Sequence, residues 1–395
     1  MANSPENQNS FSLTIGSEEI PLNIKTFEIS LSDSIYSLCP QVTFTMNDFS
    51  GIMMESRLNI LGQDVAFTMS DTSATTMLPM TCVLYETKKC NSSDGLSGIM
   101  TMKFKHTAKF SPREAKGWSN KSPAEVFRDL MQKMNQRLNS RSRNSLRNPL
   151  IRIAPSTKCI PYPLLLNPAY DNEEFIDKIL LPIASSGDVA ATPFCAFIDV
   201  TNKAHFDDIG TMYERSPIRN LVFGKDPDRS IDTLVVLTLQ SFSQDYNHIS
   251  GILDERFVYL NENDEISSSD VFLSNVFNPI AVMRNTSTVS LCAPKDYSNI
   301  INRDEEIAKL NYERRKGVLI DKLVVSTFMD LNLCAGRTVN LDTYLNMNSS
   351  EKAPSYSGKF LIEASEHLWD PNSMLGYTHL VLGRPDLEVK GKETG

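Results

Sequence analysis

Two stretches of similar pattern decide the fold: Ile60-Leu61-Gly62-Gln63-Asp64-Val65-Ala66-Phe67-Thr68-Met69, near the start, and Leu333-Cys334-Ala335-Gly336-Arg337-Thr338-Val339-Asn340-Leu341-Asp342, near the end. In each, a glycine follows apolar residues, and alternating apolar positions resume three residues later. Alternation with a period of two is typical of a β-strand with one buried face. We therefore expect the same glycine turn and strand at both ends of the chain.

The pattern continues beyond each stretch in the same order. An alternating run that ends in an acid follows at residues 80–86 and 360–363, and a glycine opens a further alternating run at residues 98–104 and 376–382. The first and last glycines are 36 residues apart in one copy and 40 in the other. This spacing predicts one small antiparallel β-domain used twice. The alternative is that two unrelated barrels share turn glycines and alternation.

Composition places the chain among soluble globular proteins. Its 395 residues are 41% apolar and 22% charged, which suits about two to four domains. No apolar run approaches the ~20 residues that span a bilayer. The first ten residues are polar and do not resemble a secretion signal, so we expect synthesis and assembly in a cytoplasm.

Cysteine usage and net charge narrow the function. The seven cysteines lack a CxxC spacing and are expected to be small buried hydrophobes, not disulfides or zinc ligands. The net charge of −9 argues against a protein that coats nucleic acid, which needs a basic face. It would suit a surface along which DNA slides without sticking.

Motifs for chemistry are scarce. The sequence has no nucleotide-binding glycine loop, no hydrolase elbow, no HExxH and no EF-hand loop. The five histidines lack metal-ligand spacing; His367 and His379 fall in one predicted hairpin and are expected to be two partly exposed strand residues instead of a metal pair. The acidic pairs Asp207-Asp208 and Glu173-Glu174 suit helix starts or loops. We therefore predict no catalytic, cofactor-binding or metal residue and no enzyme activity.

Pattern changes along the chain predict a mainly β fold with an α+β insert: two tube-like antiparallel β-barrel domains plus a helix-containing domain. The predicted boundaries are a flexible tail at 1–10, a first barrel at 11–110, an insert at 111–217 and 250–316, a second barrel at 218–249 and 317–386, and a tail at 387–395.

Three helices are predicted in the insert. The first begins at Ser122-Pro123-Ala124-Glu125, a capping box with proline at the first helical position. Its apolar face is predicted to be Val126, Phe127, Leu130, Met131, Met134 and Leu138. The second begins at Asp171, with Glu174 at the matching position and Phe175, Ile176, Ile179, Leu180 and Ile183 facing inward. The third covers residues 303–316 and stops at Gly317.

One charge block stands out between Leu130 and Tyr170, where Asp and Glu are absent. Its basic residues are Lys133, Arg137, Arg141, Arg143, Arg147, Arg152 and Lys158. The block is either a docking segment for an acidic partner or phosphate, or a solvated helix end and loop. The sequence assigns no other partner-binding residue.

Three segments carry a resemblance to a known family: residues 119–134, residues 357–369 and residues 376–382. Two β-domains, the second split around helical material, resemble the central baseplate hub proteins of contractile-tailed bacteriophages. Phage late-control proteins and type VI secretion spike hub domains share this plan. The resemblance covers most of the chain, although residues 250–300 contribute nothing to it.

The resemblance implies a structural role in a virion tail baseplate. Hub proteins form a homotrimeric, pseudo-sixfold ring that joins a hexameric tail tube to a trimeric spike and leaves a channel for DNA. The implied partners are the chain itself, the spike protein, tail tube or tube-initiator proteins and baseplate wedge proteins, without specific nucleic-acid recognition. The resemblance carries over no enzymatic residue and no cofactor.

Three alternatives remain at this stage. A β-barrel receptor- or carbohydrate-binding tail protein would have exposed aromatic residues on loops, yet only two tryptophans occur. A cell-wall hydrolase would need paired acids in a cleft. A tail-tube or initiator subunit normally needs one barrel, which the repeated pattern disfavours.

Overall fold

The computed structural model describes part of the chain. The described residues are 10–15, 18–19, 27–47, 64–70, 80–91, 98–141, 149–184, 193–225, 233–242, 254–260, 266–272, 284–285, 321–344, 352–353, 356–370 and 375–384. The predicted helix at 303–316 and the turn glycine Gly62 lie outside these residues.

The strands fall into four groups along the chain. The first group is β1 (Ser10–Ile15), β2 (Glu18–Glu19), β3 (Phe27–Ser34), β4 (Gln41–Asn47), β5 (Asp64–Ser70), β6 (Met80–Asn91) and β7 (Gly98–His106). The second is β8 (Ala115–Lys121), β9 (Arg152–Ile153), β10 (Tyr162–Pro168), β11 (Phe194–Ile198) and β12 (Lys203–Asp208). The third is β13 (Asn220–Phe223), β14 (Thr233–Phe242), β18 (Asp321–Phe328), β19 (Thr338–Thr343), β20 (Gly358–Asp370) and β21 (Leu375–Arg384). A separate small sheet contains β15 (Asp254–Leu260), β16 (Ile266–Phe272) and β17 (Arg284–Asn285).

The helices lie between the first and third groups. Helix α1 is Pro123–Arg141. Helix α2 runs through Asn172–Phe175, a π-helical turn at Ile176–Leu180, and Leu181–Ile183. Helix α3 is Ile209–Glu214, and Thr107–Phe110 is a short 3₁₀ turn. None of the described helices is both long and apolar enough to cross a membrane.

One sheet runs through both ends of the chain, in the order β19-β13-β14-β18-β21-β20-β3-β4-β7-β6-β5-β1-β2. Because β19 also pairs with β20, the first six strands in this order close into a barrel. The other seven form the N-terminal half of the sheet. The prediction of a mainly β fold with a closed barrel and a helix-containing part is confirmed.

The predicted repeat is visible in the strand pairing. The order β3-β4-β7-β6-β5 at the N-terminal end matches the order β14-β18-β21-β20-β19 at the C-terminal end, with the same antiparallel directions. Asn91 faces Gly98 in the first copy as Trp369 faces Gly376 in the second. The alternating runs noted in the sequence therefore occupy equivalent places in the two copies.

A β-bulge falls at the same place in both copies. The register of β6 against β7 shifts between Leu84 and Glu86, which leaves Tyr85 as the extra residue. The register of β20 against β21 shifts between Ile362 and Ala364, at Glu363. Both extra residues lie at the acidic end of the corresponding sequence run. Since bulges are specific features of a strand pair, their coincidence supports duplication of one β-domain.

The central part packs around α1. The capping box is confirmed, because the Ser122 amide donates to Glu125 Oε2 at 2.8 Å and the Glu125 amide donates to Ser122 Oγ at 3.3 Å. All six residues of the predicted apolar face are buried. They join β8, β10, β11, β12 and α2 in one core, in which Phe127 lies 5.3 Å from Phe206 between ring centroids.

Helix α2 also begins as predicted. Asp171 Oδ1 accepts from the Glu174 amide at 2.9 Å, and the five predicted inward residues are buried. The π-helical turn was not predicted. It precedes Pro182, which has no amide to donate and whose ring would crowd a regular helix.

Candidate functional site

Strand β20 joins the two repeats and is the first element of the candidate site. Residues Gly358–Leu361 pair with β19 inside the closed barrel, and Ala364–Trp369 pair with β3 of the N-terminal half. On its other edge β20 pairs with β21. Ser30 Oγ donates to Glu366 Oε1 at 2.5 Å across the joint. One strand therefore belongs to both halves of the sheet.

A buried polar cluster lies beside this joint, and we call it the junction cluster: Asp33, Asp199, His205, Asp207, Arg215 and Ser365. Asp33 sits at the end of β3 and accepts from Ser365 Oγ at 2.6 Å, from the Val200 amide at 2.9 Å and from the Ala335 amide at 3.2 Å. These donors come from β20, from the turn after β11 and from the loop before β19. One carboxylate thus ties together both repeats and the central part.

The second half of the junction cluster belongs to the central part. His205 Nε2 lies 2.9 Å from Asp199 Oδ2, and Nδ1 lies 3.8 Å from Asp207 Oδ2. Arg215 donates to Asp207 Oδ2 at 2.6 Å. The His205 ring stacks on Phe197 with centroids 4.8 Å apart. Two buried carboxylates are therefore balanced by an imidazole and a guanidinium.

The surroundings shift the pKa values of these groups. Burial, opposed by the hydrogen bond from Ser365, raises the pKa of Asp33 to about 6. Burial alone would lower the pKa of His205, but Asp199 and Asp207 outweigh it and raise that pKa. Burial would likewise raise the pKa of Asp199, yet the contact with His205 holds it below its ordinary value. Both shifts favour an ion pair between His205 and Asp199.

An apolar shell closes around the cluster. Its buried members are Ile35, Cys195, Phe197, Ile209, Met212, Ala335 and Leu361. Gly336 fits into this shell with a φ of +77°, and a Cβ there would lie 2.5 Å from Phe197 Cζ. The glycine that marked the repeat in the sequence is therefore required both by its backbone conformation and by the closeness of the central part.

The histidine pair of the last hairpin is not brought together. His367 is fully buried, with Nδ1 3.0 Å from Thr378 Oγ1, so the expectation that it is partly exposed was wrong. His379 Nδ1 lies 2.6 Å from Ser326 Oγ. Neighbouring register positions place the two rings on opposite faces of the sheet. Among the described residues, no group of His, Cys, Asp and Glu has the arrangement of a metal site.

The acidic pairs have structural partners. Asp208 caps α3 through the Thr211 amide at 3.0 Å, and Asp207 belongs to the junction cluster. Glu173 pairs with Lys109, and Glu174 lies 3.3 Å from both Arg113 and Lys178. Asp208, Glu173 and Glu174 therefore agree with the interpretation as helix-start or loop charges, whereas Asp207 is a buried residue of strand β12 that pairs with Arg215.

Several residues of the basic block also have partners within the chain. Lys133 pairs with Glu114, Arg137 donates to the Phe110 carbonyl at 3.2 Å, and Arg152 donates to the Thr201 carbonyl at 2.7 Å. Arg143 and Arg147 lie outside the described residues. The described contacts favour the interpretation as a helix end and loop.

The second element of the site is the outer face of the continuous sheet. On β3, β4 and β7 most inward side chains are buried and apolar, whereas most outward ones are polar and include the charged Glu28, Lys103 and Lys105. We call the small or amide-bearing neutral members of the outward set the polar face: Ser30, Ser32, Gln41, Thr43, Thr45 and Thr101. Thr45 and Thr101 join their hydroxyls at 3.4 Å, and Gln41 donates to Thr43 Oγ1 at 3.2 Å. The face continues across β20 through the Ser30–Glu366 hydrogen bond.

Comparison with known proteins gives a structural likeness only. No protein-family model matches the sequence, and no curated protein matches it. A tail protein from Neisseria meningitidis MC58 has a similar structure, with a TM-score of 0.56 and 9% identity over 95% of this chain and 96% of that one. The 43 kDa tail protein of prophage MuSo2 from Shewanella oneidensis gives 0.56 and 9% over 95% and 97%.

A third solved structure with a similar fold comes from E. coli. The E. coli c3393 protein, a type VI secretion component described as structurally similar to the T4 tail proteins gp27 and gp5, gives a TM-score of 0.51 and 14% identity over 95% of this chain and 77% of that one. The chain therefore has the fold of phage tail and type VI secretion proteins. The predicted resemblance to hub proteins is confirmed at the level of fold.

The junction cluster was missed in the sequence. Its residues lie far apart, as with Asp33 and Ser365, and they follow no spacing rule. His205 was noted only as a histidine without metal-ligand spacing.

Proposed function

We propose that the chain is the structural hub of a phage tail baseplate. In this role it forms a homotrimeric ring with six similar barrels, which joins a hexameric tail tube to a trimeric spike and leaves a channel for DNA. Its partners are the spike, tail tube or tube-initiator proteins and baseplate wedge proteins. It works in the virion, is assembled in the host cytoplasm, and is not an enzyme.

The observation that carries this proposal is the repeat within one chain. Two copies of one β-domain with matching strand order and bulge position give a threefold assembly six similar surfaces. Such an assembly can contact a sixfold tube on one side and a threefold spike on the other. The fold shared with phage tail proteins supports the same role.

The solution mass tests the ring. Light scattering over a concentration series is expected to give about three times the chain mass of 44.3 kDa, and class averages by electron microscopy are expected to show six density lobes around a pore. The same mass measurement is repeated after the chain is mixed with a purified spike trimer. A mass of one chain both alone and with the spike would contradict the proposal.

We place the DNA channel along the polar face. Its hydroxyl and amide groups offer hydration, and the neighbouring lysines Lys103 and Lys105 are balanced by Glu28 and Glu366 on the same face of the sheet, so the face provides little net attraction for phosphate. The chain as a whole carries a net charge of −9. Replacing both Thr43 and Thr45 by lysine is expected to make the assembled ring retain DNA in a salt-dependent gel-shift assay. Lysine at the exposed Ser119 of β8 is the control. Equal DNA retention by the control and the double variant would contradict this placement.

A further inference from the structure

The joint between the two repeats is the pairing of β20 with β3. The edge of β20 that follows the bulge, Ala364–Trp369, pairs in antiparallel fashion with Ile29–Ser34 of β3. Before the bulge, the same edge of β20 pairs with β19. Strand β3 uses its other edge for β4. The C-terminal copy thus contributes a β20 edge, and the N-terminal copy contributes a β3 edge.

Each copy of the repeat contains the counterpart of both edges. The counterpart of β20 is β6, whose corresponding edge is covered by β5 only at Met80–Val83. The counterpart of β3 is β14, whose corresponding edge is covered by β13 only at Thr233–Val235. In the described part of the chain, no strand lies along that edge of β6 at Lys88–Asn91 or along that edge of β14 at Leu239–Phe242.

We infer that these two edges pair with each other between copies of this chain: Lys88–Asn91 of β6 in one protomer with Leu239–Phe242 of β14 in the next. The inference rests on the proposed function and names the surface by which the ring would form. The pairing is antiparallel and repeats the β20–β3 joint. A second copy is the occupant because the chain itself carries both halves of the joint, one in each repeat.

The register follows from the repeat. Leu368 faces Ser30 in the joint within the chain. The residue equivalent to Leu368 is Cys90, since Cys90 faces Ile99 as Leu368 faces Tyr377. The residue equivalent to Ser30 is Gln240. Cys90 of one protomer therefore stands opposite Gln240 of the next. The two other residues of this row, Ile99 and Gln240, are both exposed.

The hydrogen bond across the β20–β3 joint has a counterpart at the edges of β6 and β14. Glu366, which accepts from Ser30, corresponds to Lys88, and Ser30 corresponds to Gln240. An ammonium and an amide oxygen can form the same cross-strand hydrogen bond with donor and acceptor exchanged. Lysines on an open strand edge also discourage pairing with unrelated chains. Lys88 is exposed and lies 3.1 Å from Glu86 in the single chain.

The two bulge residues show the same difference between a covered and an open site. At the covered joint, Glu363 is buried and pairs with Lys322 at 2.9 Å, and Lys322 lies 5.9 Å from the centroid of the Tyr36 ring. At the equivalent place in the first copy, Tyr85 is 36% exposed and donates to Gln41 at 3.0 Å. The next protomer would cover Tyr85 as the turn after β3 covers Glu363.

Such pairing is head-to-tail. Each protomer offers one edge of each kind, so that the same contact adds protomers in one direction and produces a ring when the rotation closes. The barrels then alternate around the ring, with the joint inside each chain and the joint between chains built alike.

Thiol cross-linking tests the register with one substitution, because Cys90 is native. Gln240→Cys is treated with a mild oxidant and, in parallel, with a short bis-maleimide, so that the result does not depend on disulfide geometry. Controls are wild type, Gln240→Cys combined with Cys90→Ser, and Lys116→Cys, which places a thiol on exposed β8. Products are separated on non-reducing gels, and the mass of each variant is measured by light scattering.

Gln240→Cys is expected to give cross-linked dimer and trimer, at least about tenfold above Lys116→Cys, because paired thiols react at effective concentrations near millimolar. Loss of these bands with Cys90→Ser is required. A trimeric mass without cross-linking beyond the Lys116→Cys control would overturn the strand pairing and leave the proposed ring standing. Cross-linked open polymers without trimer would support the pairing and contradict the ring. A single-chain mass both alone and with the spike trimer, together with no cross-linking beyond the control, would refute both the pairing and the ring.

Discussion

Replacing Gly336 by alanine tests the closest approach between the repeat and the central part. The φ of +77° costs an L-residue about 1–2 kcal/mol. The added Cβ would lie 2.5 Å from Phe197 Cζ and 3.2 Å from Met212 Sδ, and overpacking of this kind costs about 1–3 kcal/mol. We therefore expect Gly336→Ala to lower the free energy of unfolding by about 2–5 kcal/mol.

Two controls separate the cost of the backbone conformation from the cost of the steric clash. Gly358→Ala also places a side chain at positive φ, +127°, but its nearest neighbour is Arg384 at 3.9 Å, so it reports backbone strain without crowding. Phe197→Leu removes the atom that clashes. In that background Gly336→Ala is expected to cost about 1–3 kcal/mol less than in wild type.

Urea unfolding, followed by the fluorescence of the chain's two tryptophans, gives the four free energies of this cycle. The reasoning would be refuted by a cost of Gly336→Ala below about 1 kcal/mol, or by an equal cost in the wild-type and Phe197→Leu backgrounds.

Three further predictions concern buried groups. Asp33→Ala leaves three buried donors without their acceptor, so we expect the free energy of unfolding to fall by at least about 2–3 kcal/mol and hydrogen exchange to become faster at the two donating amides. Ser32→Ala is the control. Unchanged exchange in Asp33→Ala would argue against the junction cluster. Burial lowers the pKa of both His106 and His367 to about 4. The stability that these neutral histidines provide is therefore present above pH 6.5 and is lost as the pH falls through 4, by about 3 kcal/mol each. Replacing both by glutamine should reduce this pH-dependent loss, measured by urea titrations at pH 7 and pH 4.5. Phe127→Asp forces a charge into the core around α1 and should abolish soluble expression, and a soluble, assembled variant would contradict the packing of that helix.

Local patterns predicted the repeat and the helices α1 and α2 because each depends on neighbours in sequence. The glycine before Arg337 and the alternation after it are visible in one strand, and a capping box needs only Ser122 and Glu125. The sharing of β20 between the two repeats is a long-range pairing, and alternation along residues 358–370 does not say which strands lie on either side. For the same reason the sequence did not reveal the partners of Asp33.

The exposure of His367 was predicted wrongly for a related reason. Histidine on a strand of a one-sided sheet is expected to face outward, whereas here hydrogen bonds to Thr378 and Ser365 accompany its burial. A polar residue can occupy an inward position when its partners come from neighbouring strands, and a single sequence does not show those partners.

The sharing of β20 has a consequence for synthesis of the chain. Strand β3 emerges from the ribosome more than three hundred residues before its partner on β20, as the Ser30–Glu366 separation of 336 residues shows. Until residues 364–369 are made, one edge of β3 has no native partner, and Asp33 lacks the donor from Ser365. Contacts of such sequence separation form slowly, since a long loop must close first. We expect nascent chains truncated before β20 to remain protease-sensitive at β3, and release of the complete chain to be the event that locks the N-terminal half in place.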